Sequence, residues 1–185
     1  MRSVDLLLEE HRLIERVLCV LENSAAIMTR GGAVSVAVLS SIVGFMRSYA
    51  DAAHHAKEED IFFPALAAHG VAPGASAIGA FEAQHEAGRS LVKQMGHALR
   101  LIAAGHEEAR PIFTQTAYEY IDLLREHILL EDRVFAEYAE DYFSAAEDAA
   151  LRARMDEQDL LRPVPERPDR IERIVNDLEE AMAKC

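Results

Sequence analysis

The chain has no tryptophan, only two cysteines, and far fewer cations than anions: 19 Lys and Arg against 32 Asp and Glu, for a net charge of −13. Two cysteines do not make a disulfide framework. Cys19 reads as a small packed residue of the first helix, since no Cys or His lies three or four residues away to share a metal with it, and Cys185 reads as a free thiol at the C-terminus. The scarcity of clustered Lys and Arg argues against a nucleic-acid partner, whose phosphates require them, and against adsorption to an anionic membrane. Long apolar runs of membrane-spanning length are missing as well. The N-terminal MRSVDLLLEEH carries acidic residues where a signal peptide would be apolar, so the chain reads as cytoplasmic. Sustained period-two alternation is also absent, which leaves β-structure nowhere to form.

What is present is helical. Half of the 185 residues are apolar, enough for one domain with a real core. Four long helical segments are predicted at about 3–29, 33–68, 75–104 and 109–143. Ser3 is the expected N-cap of the first. Stops fall at Arg30-Gly31-Gly32, near Gly70 with Pro73 beyond, and at Gly105; Pro111 is tolerated in the first turn of the fourth. At 1.5 Å per residue each is roughly 40–50 Å long, the size of a four-helix bundle element, and short connections make neighbours antiparallel. The expected architecture is all-α: an up-down four-helix bundle over residues 1–145 and a C-terminal helical extension over 146–185. The extension comprises an acidic helical stretch, a Pro-rich linker at 162–168 and an amphipathic helix at 169–184 with Asp169 as cap. Ile171, Ile174, Val175, Leu178 and Met182 line that last helix, which either folds back on the bundle or pairs with a second copy in a homodimer.

The informative residues are those that interrupt the apolar stripes. The first helix reads Val4, Leu7, His11, Ile14, Leu18, Leu21. The second reads Val36, Leu39, Val43, Met46, Ala50, His54, Glu58, Ile61, Ala65. The third gives Ile78, Phe81, His85, Gly88, Val92, Met95, Leu99, Ile102, and the fourth Phe113, Thr116, Tyr120, Leu123, His127, Glu131, Val134, Tyr138. Each helix thus places one histidine on its inward stripe, and two add a glutamate one turn later. Burying two ionised carboxylates and four imidazoles without compensation is costly by many kcal/mol. Cations remove that cost. The six residues His11, His54, Glu58, His85, His127 and Glu131 suit a pair of metal ions bridged by both glutamates, and a donor set of N and O alone points to iron, with manganese or zinc as substitutes.

The other histidines fail the stripe test: His69, His97 and His106 are expected in solvent. His55 stands about 100° round the helix from His54, so it either flanks the site or faces outward. Within HHAKEEDIFFP (54–64), Lys57, Glu59 and Asp60 are expected on a solvated flank. Ile61, Phe62 and Phe63 are expected to seal the site, with Pro64 slackening the last turns.

These motifs, EEH (9–11), HHAKEEDIFFP (54–64), EAQHEAGR (82–89) and REHILLED (125–132), resemble those of the hemerythrin-like, or HHE cation-binding, family over about residues 3–143. The resemblance implies a non-haem di-iron centre, with an oxo or hydroxo bridge, inside an antiparallel four-helix bundle. It implies His11, His54, His85 and His127 as ligands and Glu58 and Glu131 as bridging carboxylates. The oxygen-carrying members have a fifth histidine four residues after that of the third helix; here Arg89 stands there, and a guanidinium does not ligate. The position is filled by water, a tyrosine or His55, and Tyr120 lines the pocket or belongs to the core. Two functions follow. One is binding or sensing of dioxygen or nitric oxide; the other is a di-iron oxidoreductase acting on peroxide or nitric oxide, as in stress defence and iron–sulfur repair. The cysteine-rich N-terminal segment often found with repair activity is absent. A ferritin-like ferroxidase fits poorly, because the chain has a single Glu-x-x-His step, Glu82 to His85.

Overall fold

A computed structural model describes residues 2–71, 77–161 and 168–183; among them there is no strand. Helix α1 runs Ser3–Thr29, α2 Val36–Phe45, α3 Phe63–Ala68, α4 Ala77–Ala103, α5 Arg110–Tyr142, α6 Ala145–Leu160 and α7 Pro168–Ala183. Between α2 and α3 the helix continues through two π-helical stretches, Met46–His55 and Glu58–Phe62, so the second bundle helix is one rod with wide turns at its centre. Gly70 and Gly105 close α3 and α4 with φ of +90°, a conformation that suits glycine. Pro73 lies outside the described residues.

Contacts across the helices fix their directions. On α1 and α5, His11 meets Asp132 and Glu22 meets Arg125, each at 2.7 Å, so rising numbers on one helix face falling numbers on the other. On α4 and α5, His85 faces His127 while Gly88 faces Tyr120; on α4 and the second rod, Arg89 meets Asp51 while Gly96 faces Val43. Each neighbour is antiparallel to the next.

The predicted stripes of α1 and α4 are buried nearly throughout, and the second rod loses only its ends, Val36 being exposed and Ala65 half-buried. On α5 the buried register differs. Leu124, Phe135 and Ala139 are inward, while Leu123, Val134 and Tyr138 sit half-exposed at the margin. Ser3 is not the cap of α1. Arg2 precedes the helix and donates its backbone N–H to Asp5 (2.9 Å), whereas Ser3 is buried and donates to Asp148 of α6 (N–H 3.0 Å, Oγ 2.5 Å). Cys19 is exposed rather than packed, since it falls one residue beyond Leu18 of the stripe. Cys185 and most of the Pro-rich linker lie outside the described residues, as does the side chain of Asp169.

The extension folds back on the bundle. Ser144 and Glu147 cap α6 reciprocally, a capping box, and Leu151, Met155 and Asp159 are its buried residues. In α7, which begins at Pro168, Ile171, Val175 and Leu178 join the core beside α1. Arg16 holds Glu179 with two bonds (2.9 and 2.7 Å) and Asn176 with a third (2.7 Å). The apolar stripe of α7 is therefore covered by its own chain.

Two apolar clusters form. One holds Ile14, Leu18, Leu39, Met46, Met95, Tyr120 and Leu124 with α7; the other holds Leu7, Ile61, Phe62, Phe63, Phe81, Phe135 and Met155. His11, His54 and His85 lie between them along their helices, and on α5 the pair His127 and Glu131 lies between Leu124 and Phe135. Burial of each such Leu or Phe contributes about 1.5–3 kcal/mol, so two firm cores hold the polar layer between them.

Candidate metal centre

The polar layer is completely enclosed: His11, His54, Glu58, His85, His127 and Glu131 are each at most 1% exposed. Glu58 and Glu131 occupy the middle. His54 Nε2 is 3.3 Å and His11 Nε2 3.8 Å from Glu58 Oε1, and His85 Nε2 is 3.4 Å from Oε2. Glu131 Oε2 has His127 Nε2 at 3.0 Å and His11 Nε2 at 3.3 Å, and its Oε1 has His85 Nε2 at 3.7 Å. The structure brings all six sequence-predicted residues together.

Each of the four predicted histidines turns its other nitrogen away from the centre to an acceptor on a neighbouring helix. His11 Nδ1–H donates to Asp132 (2.7 Å), His54 to Glu10 (3.0 Å), His85 to Glu59 (2.7 Å) and His127 to Gln84 Oε1 (3.0 Å). The braces form a closed circuit. Glu10 of α1 supports the second rod's histidine, Glu59 of that rod supports α4, Gln84 of α4 supports α5, and Asp132 of α5 supports α1. In every case the brace is the chain neighbour of an inward-facing residue, so one short motif on each helix supplies a donor to the centre and a support to the next helix. Fixing the proton on Nδ1 directs a lone pair from each Nε2 inward, the arrangement that orients metal-bound imidazoles.

Inward there is nothing to receive those lone pairs. All four oxygens of Glu58 and Glu131 and the Nε2 of His11 are buried without a hydrogen-bond partner. His85 and His127 face each other Nε2 to Nε2 at 3.1 Å. The charges respond accordingly. Burial, and then Glu131, push Glu58 well above the carboxylate range. Burial acts on Glu131 in the same direction, but His127, His11 and His85 hold it well below. Burial lowers His11, yet Asp132 and Glu131 bring it up to about 9. Burial lowers His54 and His127. These groups call for positive charge at their midpoint, and the orphaned acceptors fit cations of N and O preference.

His55, left undecided by the sequence, belongs here. It is 3% exposed and its ring stacks on His85 with centroids 3.8 Å apart and planes 11° from parallel. Its Nδ1 faces Asp51 at 3.5 Å, and burial lowers the ring to about 3, so it stays neutral. The π-helical backbone explains its placement. A wider turn takes fewer degrees per residue, which brings two consecutive side chains onto one face; such turns recur at functional sites. Two groups of donors capable of holding an ion result. One is His55, Glu58, His85 and His127; the other is His11, His54, Glu58 and Glu131, the atoms of each lying within 4.8 Å of one another.

Two residues expected in solvent are not there. Lys57 is fully buried, its Nζ 2.5 Å from Glu10 and 2.8 Å from Asp159 of α6. Glu59 is half-buried and accepts from both His85 and Arg89 (2.7 Å each). Asp60 is exposed as expected, and so are His69, His97 and His106. Arg89 points away from the centre to Asp51 and Glu59. Phe63 stacks near His85 and Phe81 meets His127 edge-on, so the aromatic cluster closes one end of the site as predicted. Tyr120 is core and cavity wall at once. It is 2% exposed, its phenol pushed up by burial, and with His55 it borders a cavity of about 200 Å³. No helix among the described residues is long and apolar enough to cross a membrane.

The family model for the hemerythrin HHE cation binding domain matches residues 2–139, a span containing every donor and brace named above. No match is found among curated proteins or solved structures. The match covers more than half of the chain, and the chain belongs to the hemerythrin HHE cation-binding domain family, as a metal-binding protein whose donors converge in the middle of a helical bundle.

Proposed function

We propose that this protein is a non-haem di-iron protein that binds or senses dioxygen or nitric oxide at its buried carboxylate-bridged centre. The observation that carries the reading is the pair of donor groups sharing Glu58, one with three imidazoles and the other with two. Iron held by imidazole and carboxylate supplies reversible redox change together with room for a small external ligand. Zinc fits the same donor types but has no redox change, and manganese fits them as a redox-active substitute.

The residues of the chain do the rest. Glu58 and Glu131 offset the charge of two cations, and the circuit of Glu10, Glu59, Gln84 and Asp132 fixes the imidazoles that hold them. Phe62, Phe63, Phe81 and Phe135 exclude water from one end. If two ions were held, the group of His11 and His54 would supply two imidazoles and the group of His55, His85 and His127 three, so the former would have fewer nitrogen donors. His55 also bears on the alternative, an oxidoreductase acting on peroxide or nitric oxide. With Arg89 in place of a fifth histidine, the sequence leaves that donor position to water, a tyrosine or His55, and a fifth imidazole, His55, stands beside His85.

Stopped-flow absorption of the reduced, iron-loaded protein mixed with dioxygen, nitric oxide or peroxide tests the reading. Reversible spectra with dioxygen or nitric oxide are expected. Rapid, sustained turnover of peroxide with no reversible adduct would replace this reading with the oxidoreductase.

A further inference from the structure

The cavity beside His55 has a composition that ligation of metal does not require. Val43, Val92 and Tyr120 form its apolar wall, and Gly88 and Gly96, about two turns apart on α4, leave it open. Its mouth carries Arg47, Lys93 and Arg100, all exposed and all without an ion pair among the described residues. Elsewhere on the surface Arg2, Arg12, Arg16, Arg125 and Arg152 each meet a carboxylate, while Arg30, Arg133, Arg154, Arg170 and Arg173 have no ion pair among the described residues but are not gathered at one cavity. Arg89, deeper in the same cavity, is neutralised by Asp51 and Glu59. In a chain of net charge −13, three uncompensated cations gathered at one apolar recess are a local reversal of the protein's field. Such a reversal concentrates anions. The cavity volume of about 200 Å³ is below the roughly 300–1,000 Å³ of sites for drug-sized ligands, which limits the occupant to a single ring or a short branched chain.

We propose that this cavity is a binding site for a small organic acid, with its apolar body against Tyr120 and His55 and its carboxylate at Arg47, Lys93 and Arg100. The site stands on cavity shape and charge, and does not depend on which metal or gas the centre takes. An added Cβ at Gly96 would lie 3.8 Å from Val43 and from Arg100, and one at Gly88 3.6 Å from Tyr120, so the helix accepts side chains that would fill the recess.

Calorimetric titration of the full metal-loaded chain with benzoate tests this, with benzamide as the uncharged isostere and inorganic phosphate as charge without an apolar body. Saturable one-site binding of benzoate is expected, about tenfold tighter than either control and weakening as salt rises. The triple substitution Arg47→Ala, Lys93→Ala, Arg100→Ala and the single Gly96→Leu should each weaken benzoate about tenfold or more while helix content and metal content hold. The triple variant changes exposed residues only and keeps the test valid if Gly96→Leu fails to fold. Equal binding of benzamide, an unaffected triple variant, or no binding of benzoate at millimolar concentration would overturn the proposal. So would benzoate binding that disappears with the metal but survives the triple substitution, because the carboxylate would then be a metal ligand.

Discussion

On one flank of the centre His54 donates to Glu10, Glu10 accepts from Lys57, and Lys57 reaches on to Asp159 of α6. On the opposite flank His85 donates to Glu59, Glu59 accepts from Arg89, and Arg89 reaches on to Asp51. The order of groups is the same: imidazole, carboxylate, cation, carboxylate. Their surroundings are opposite. The first chain is buried throughout, with Lys57 at 0% and Asp159 at 7% exposed, because α6 lies over it. The second is about 30% exposed at Arg89 and opens on the cavity beside His55. Burial determines what each chain can do. A sealed ion-pair chain fixes its imidazole rigidly and is intolerant of a missing member. An exposed one is screened and tolerant, and leaves its flank accessible. The choice of cation agrees, since a flexible ammonium reaches a closed pocket and a planar guanidinium forks between two carboxylates at a surface.

The comparison can be broken in graded steps. The largest effect is expected from Glu58→Ala, which removes the donor common to both flanks; metal analysis after iron loading should show loss of most metal, and full retention would refute the shared donor. Next is Lys57→Met, which leaves Glu10 and Asp159 facing each other in a closed space. A loss of about 3–5 kcal/mol is expected in urea unfolding, the range for breaking a buried pair. Smaller, and read in metal affinity rather than stability, are Glu10→Ala and Asp132→Ala. Each removes one brace of the circuit and should weaken metal binding about 10–100-fold by competition with a chelator. The smallest is Arg89→Ala on the open flank, expected to cost about 1 kcal/mol or less. If Arg89→Ala destabilised as much as Lys57→Met, the contrast between sealed and open flanks would be wrong.

The six inward residues were legible because each breaks a 3.6-residue apolar stripe, and that periodicity survives packing. His55 was not, because the reading assumed about 100° per residue and the backbone at Met46–His55 is π-helical. Lys57 and Glu59 were assigned to solvent by the same geometry, and a second cause compounds the error. The helix that covers Lys57 is α6, a hundred residues on, and nothing in HHAKEEDIFFP announces it. The braces show a similar limit. Glu10, Glu59, Gln84 and Asp132 are ordinary polar residues in their own helices, and only the juxtaposition of different helices pairs them with histidines. One signal was available in hindsight: each lies next to a predicted donor in the chain. The stripe of α7 was legible too, but its two uses, folding back or pairing with another copy, have the same sequence signature.

The proposed function requires a centre that holds two cations sharing carboxylates. The direct test is elemental analysis of the purified, iron-loaded full chain beside its His55→Ala variant. About two metal ions per chain are predicted for the unaltered protein, with the variant losing metal from the group of His55, His85 and His127 first. A single ion per chain in the unaltered protein, or none, would contradict the account.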